Sequence, residues 1–163
     1  MNKTIHKTMS IADIKMVLDY YKKERSDEKT KDKFNIFSLS TQWNIKRDID
    51  IMTAQISDFI AFTEEKVIAL KDEYVMNDEK GQQITVKQMV DGKEKEVPAR
   101  QVKPEYMDEF TTKYQEIQMA LLELAKEQKE FDIYVIDFDA EVSNLKDDTS
   151  LTMDDVEFLS VFA

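Results

Sequence analysis

Carboxylates are the only side chains in this sequence whose number and spacing suggest chemistry. Asp137, Asp139 and Glu141 alternate, Asp147-Asp148 and Asp154-Asp155 follow closely, and hard cations take such oxygen ligands. The pattern departs from a calcium loop, because Val142 stands where the sharp turn requires glycine. A sugar-cleaving carboxylate pair would also need a pocket and stacking aromatics, and the single Trp43 reads as apolar cover. His6 is the only histidine and there is no cysteine, so no disulfide, thiolate site or cysteine–histidine pair is available. Gly81 and Gly92 are the only glycines, which leaves no glycine-rich phosphate cradle. The inventory predicts no catalytic residues, no metal and no cofactor, and points to a binding protein rather than an enzyme.

Charge says what such a protein would bind. The net charge is −11 over 163 residues. Residues 1–33 carry nine basic against six acidic side chains, residues 34–104 ten against twelve, and residues 105–163 four against sixteen. A general nucleic-acid binder needs the opposite sign, so no direct nucleic-acid contact is expected. No apolar run approaches the ~20 residues needed to span a bilayer, and MNKTIHKTMS lacks the apolar stretch of a secretory signal. We therefore expect a soluble, cytoplasmic protein. The acidic third attracts a basic protein partner, with Asp147, Asp148, Asp154 and Asp155 as contacts, unless these carboxylates only solvate the surface.

The elements that would carry these side chains are mostly helical. Ser10, with Asp13 three residues on, predicts a helix start, and Ile11, Ile14, Val17, Leu18 and Tyr21 recur at helical spacing. The charged run 22–33 reads as an exposed helix end or a linker. Phe34, Ile36, Phe37 and Leu39 form a short apolar patch. Ile45, Ile49, Met52, Ile56, Phe59, Thr63, Val67, Leu70 and Tyr74 then repeat by threes and fours, with neither glycine nor proline between Gln42 and Met76. That predicts a helix about 50 Å long with one apolar seam. The seam also suits an intermolecular coiled coil, and so a homo-oligomer.

Residues 77–103 change character: a turn at Asn77–Gly81, then two short alternating runs around Asp91-Gly92, the local signature of a β-hairpin. An exposed tip of this kind is free to serve recognition, with Lys87, Asp91, Lys93 and Glu94 as contacts. Pro104 opens a further helix, where Met107, Phe110, Tyr114, Ile117, Leu121 and Leu124 repeat at helical spacing towards Gln128. Phe131–Val142 reads as a strand, apolar on both faces, pairing with either Lys3–Lys7 or the hairpin. Thr152 and Asp155 cap a final helix docked by Val156, Leu159 and Phe162. We expect one domain over 1–163: mainly α with a small β component, built on a long antiparallel helical hairpin with a tip β-hairpin, one further strand and short flanking helices.

In this order of elements, the segments IADIKMVLDYYKK, RDIDIMTAQISDFIAFTEEKVIALKDEYV, EYMDEFTTKYQEIQMALLEL and SLTMDDVEFLSVF resemble an uncharacterised family of small proteins from phages of Gram-positive bacteria, encoded near tail and lysis genes. The resemblance implies a phage accessory protein that binds protein, a phage structural protein or a host one, in virion or tail assembly, in the host cytoplasm or on the virion. The alternative is an inhibitor of a host defence or nucleic-acid-binding protein that acts through an acidic surface. The family has no established active site, so no functional residue is implied.

Overall fold

Helix signals in this chain are strong and local, and the backbone follows them. The computed structural model describes residues 3–75, 82, 84–99, 101–145 and 151–163. In chain order the elements are β1 (Thr4–Ser10), α1 (Ile11–Ser26), α2 (Leu39–Glu73), β2 (Thr85–Val90), β3 (Lys93–Pro98), α3 (Met107–Leu124), β4 (Gln128–Tyr134), α4 (Phe138–Ser143) and α5 (Met153–Ser160). Short 3-10 turns occupy Lys33–Ile36 and Pro104–Tyr106. The fold is mainly α with a small β component. No described helix is long and apolar enough to cross a membrane.

The chain divides into two compact units, Met1–Asp58 with Ala125–Ala163, and Phe59–Leu124. In the first unit, β1 pairs antiparallel with β4 in the register Thr4↔Tyr134 to Ser10↔Gln128. Two further backbone bonds, Ile11 N–H to Glu127 C=O and Ala12 N–H to Ala125 C=O, both at 3.0 Å, carry the pairing into the first turn of α1. Of the two partners the sequence allows for the late strand, it takes the N-terminal segment. The strand is shorter and starts earlier than Phe131–Val142: Asp137 accepts the Ala140 N–H at 3.0 Å and starts α4, which ends the extended run. Nor are both its faces apolar. Phe131 and Ile133 are buried, while Glu130 and Asp132 are exposed.

Ser10 caps α1 through the Asp13 N–H, as the spacing predicts. Ile11, Ile14 and Val17 are buried, as are Ile45, Ile49, Met52 and Ile56 of α2, and Phe158, Leu159 and Phe162 at the end of the chain. The charged run 22–33 begins as a helix end, one of the two forms expected of it, but it is not wholly solvated. Helix α1 continues through it to Ser26, and Glu24 is buried. The Thr30 hydroxyl donates to the Glu24 carbonyl at 2.8 Å, and Arg25 reaches the Lys31 carbonyl at 3.0 Å. The patch at 34–39 splits: Phe34 and Phe37 are buried, whereas Ile36 and Leu39 are exposed. Phe34 lies 5.4 Å from the Phe158 ring, so this patch covers α5. Trp43 is exposed rather than apolar cover, and so is Val156 of α5.

In the second unit the end of α2 meets the start of α3. The Tyr74 hydroxyl donates to Glu109 Oε1 at 2.7 Å, and the Tyr74 ring lies 6.0 Å from Phe110 in an edge-on pair. Leu70, Tyr74 and Leu121 are buried. Helix α3 stops at Leu124, because residues 128–134 are drawn into β4, so it reaches only half the length of α2. Strands β2 and β3 form the hairpin at Asp91-Gly92, where positive φ at both residues (52° and 74°) gives the tight two-residue turn. Asn77–Gly81 lies outside the described residues.

Candidate partner-binding groove

Asp155 is one of the carboxylates expected on the surface; the structure places it in the interior. It is fully buried. Its Oδ2 accepts the Thr152 N–H at 2.9 Å, while the Thr152 hydroxyl accepts the Asp155 N–H at 3.1 Å, completing a capping box on α5. Its Oδ1 accepts from the Tyr20 hydroxyl and from Lys33 Nζ at 2.6 Å. Lys33 also bridges to Glu24 at 2.6 Å. A cation from the 3-10 turn thus joins two carboxylates, one from α1 and one from α5. Burial by itself would depress the lysine and raise the aspartate. The hydrogen bonds prevail in both, holding Lys33 above the usual lysine range and Asp155 below the usual carboxylate range. Burial, then the bond to Asp155, pushes the Tyr20 hydroxyl up to about 12.

This network fixes α1 against α5, and a groove of about 460 Å³ lies between the two helices. Buried Val17 and Phe158 with the half-buried Met9, Val161 and Tyr20 ring form its apolar floor, and exposed Met16 and Ser160 lie at its edge. The Tyr20 and Phe158 rings lie 5.0 Å apart, so the floor is held by the same side chains that the ionic network locks. Asp13, Asp154 and Glu157 supply the carboxylates along its rim. Of the four C-terminal candidates, Asp154 alone is placed at this groove. Asp147 and Asp148 lie outside the described residues. The remaining four candidates, Lys87, Asp91, Lys93 and Glu94, are exposed on the β2–β3 hairpin of the other unit, where Lys87 faces Glu96 across the strands and Lys93 faces Val90.

The alternating carboxylates do not line a strand face. Asp137 caps α4, and Glu141 reaches the start of α2. Glu141 accepts the Ser38 N–H at 3.0 Å and the Ser38 hydroxyl at 2.6 Å, and also the Thr41 hydroxyl. A carboxylate there meets the unpaired N–H groups and positive end of a 35-residue helix. Burial opposes ionisation of Glu141, but the bonds from Ser38 and Thr41 outweigh it and lower its pKa. These acids serve as helix caps. Among the described residues, no group of three or more histidine, cysteine or acidic side chains could hold a metal ion.

Two features lay outside the sequence reading. Asp48 sits between seam residues of α2 and is fully buried. Its Oδ1 accepts the Tyr134 N–H at 2.8 Å, and its Oδ2 has no partner. Burial pushes its carboxyl up to about 6, against smaller opposing effects from that N–H and from Arg47. The groove itself was also missed. Asp13, Met16, Val17 and Tyr20 recur at threes and fours, so one stripe of α1 was in principle readable. The other wall comes from residues some 140 positions later and leaves no local signal. No protein-family model, curated protein or solved structure matches the chain.

Proposed function

We propose that this chain works by binding a protein, not by catalysis, and that it seats in the groove between α1 and α5 an apolar segment flanked by lysine or arginine. The observation that carries this reading is the pairing of an apolar lining with carboxylates from both helices, Asp13 of α1 and Asp154 and Glu157 of α5. Apolar side chains leave water on that floor, each gaining about 1.5–3 kcal/mol if fully buried. Asp13, Asp154 and Glu157 attract basic flanks and disfavour acidic ones. Methionines suit such a surface because their flexible side chains adapt to a partner's shape. The Tyr20–Asp155–Lys33 network limits the ordering needed on binding. As a phage accessory protein in assembly, or as an inhibitor with an acidic surface, the chain would act through this one contact.

The test is a titration of isotope-labelled protein with a short amphipathic peptide carrying lysine flanks, beside a peptide of the same apolar residues with glutamate flanks. The basic peptide is expected to shift signals of Met16, Val17 and Val161, and Asp154→Asn with Glu157→Gln is expected to slow its association. If neither peptide perturbs the groove at millimolar concentration, the reading fails.

A further inference from the structure

The chain itself exposes a segment with the chemistry that this groove selects. Leu39, Trp43 and Arg47 follow one another by four residues, so they lie along one face at the start of α2. Leu39 is 81% exposed and Trp43, the sole tryptophan, 58%. Tryptophan and arginine are among the residues most often dominant in protein interfaces. Arg47 is held ready: its guanidinium lies 3.6 Å from the centre of the Tyr134 ring and 5.7 Å from that of Trp43, and Nη2 donates to Asn44 Oδ1 at 2.6 Å. Among the described residues Arg47 makes no ion pair, and neither do Asp154 and Glu157 on the groove rim. One patch of the first unit thus offers two large apolar side chains with a guanidinium one turn on. Another offers an apolar floor with carboxylates at its edge. The two share no residue.

We propose that the groove between α1 and α5 receives the Leu39–Trp43–Arg47 stripe of a second copy of this chain. The inference rests on the groove being a protein-binding site and names its occupant. Leu39 and Trp43 enter the apolar floor, and Arg47 meets Asp154 and Glu157. Groove and stripe are different patches, so two copies that exchange stripes reciprocally close as a two-fold dimer, whereas a copy that donates its stripe without return keeps its own groove open for the next. In the second case association continues head to tail, into a ring if the rotation closes and a filament if it does not. Complementary charge at the contact overcomes the repulsion between two chains of net charge −11, which at 0.15 M salt is screened beyond about 8 Å.

The experiment uses two variants altered only at exposed positions, a groove variant (D154K with E157K) and a stripe variant (L39K with W43E). Sedimentation equilibrium at 0.15 M salt, with protein up to about 1 mM to reach weak contacts, is expected to give an average mass for the wild type that climbs with concentration to that of two chains or beyond. Each variant alone is expected to sediment as a single chain. An equimolar mixture of the two is expected to reach the mass of two chains and no more, because one intact groove then meets one intact stripe. A wild type that stays monomeric overturns the proposal, as does either variant associating like the wild type, or a mixture that stays monomeric. The peptide titration separates the two readings. Groove signals that shift with the lysine-flanked peptide in a monomeric wild type leave the groove as a binding site and remove only the second copy; no shift removes both.

Discussion

Two charged side chains, half-buried Lys33 and buried Asp48, hold opposite positions in the energetics of the protein. Lys33 neutralises Asp155 and Glu24, whose side chains are 0% and 10% exposed. Replacing it with methionine leaves two carboxylates without their cation, so Lys33→Met is expected to lose about 3–5 kcal/mol in urea unfolding. A loss below about 1 kcal/mol would mean that the network is not what holds α1 and α5 together. Asp48 is a cost instead. Its carboxyl binds a proton more tightly folded, at about 6, than unfolded, at 3.8. The folded state is favoured while Asp48 is protonated, so this contribution is full below about pH 4 and is lost as pH rises to about 6. The loss is about 3 kcal/mol at 1.36 kcal/mol per pH unit. Asn keeps the acceptor for the Tyr134 N–H, so Asp48→Asn is expected to match the wild type near pH 4 and to exceed it at pH 7. Asp155 and Glu141 have depressed values, so their stabilisation is present above the ordinary carboxylate range and disappears as pH falls through their folded values. Because both forms share that acid limb, the difference between them isolates Asp48.

Helix α2 depends on a side chain about a hundred residues away. Glu141→Ala removes the acceptor for the Ser38 N–H and for two hydroxyls, and is expected to cost about 1–2 kcal/mol, seen as a lower melting temperature. Glu141→Gln retains an acceptor without the charge and should recover part of the loss. This cap shows where the sequence is legible and where it is not. The Ser10 and Thr152 caps, the seam of α2 and the Asp91-Gly92 turn all follow from residues within a few positions of one another, and periodicity or turn chemistry exposes them. Glu141, by contrast, sits in a run that alternates like a strand, and its role depends on a fold that brings Ser38 to it. Asp48 was hidden because periodicity registers apolar positions and passes over a carboxylate that the backbone of β4 draws in. Trp43 was misjudged for the converse reason: its size argues for burial, but it falls on the outer face of α2. Of the proposed binding surface, Asp154 was singled out from charge alone, whereas the groove needed α1 and α5 side by side.

The first unit is made from both ends of the described chain, with the second unit inserted between Asp58 and Ala125. Its core draws on the last helix as much as the first, since Phe158, Leu159 and Phe162 are buried and the Phe162 carbonyl accepts the Ile136 N–H at 2.9 Å. A chain cut after Ser150 is therefore expected to lose cooperative unfolding, and hydrogen exchange should show β1 and β4 unprotected while the Tyr74–Glu109 region keeps its protection. Retained protection in β1 would show that α5 is an accessory rather than a wall of the core. The pairing of β1 with β4 also has a consequence in time. His6 bonds to Asp132 across 126 positions, so the first strand made has no mate until the ribosome has passed residue 134. At ~5–20 residues per second that wait lasts several seconds or longer, while the second unit needs nothing beyond Leu124. The usual order of synthesis is thereby inverted: the middle of the chain is free to fold before its beginning. Until then Ile11, Ile14, Val17 and the early seam of α2 lack the cover that Phe158, Leu159 and Phe162 complete, so the nascent chain exposes apolar surface that the finished protein hides.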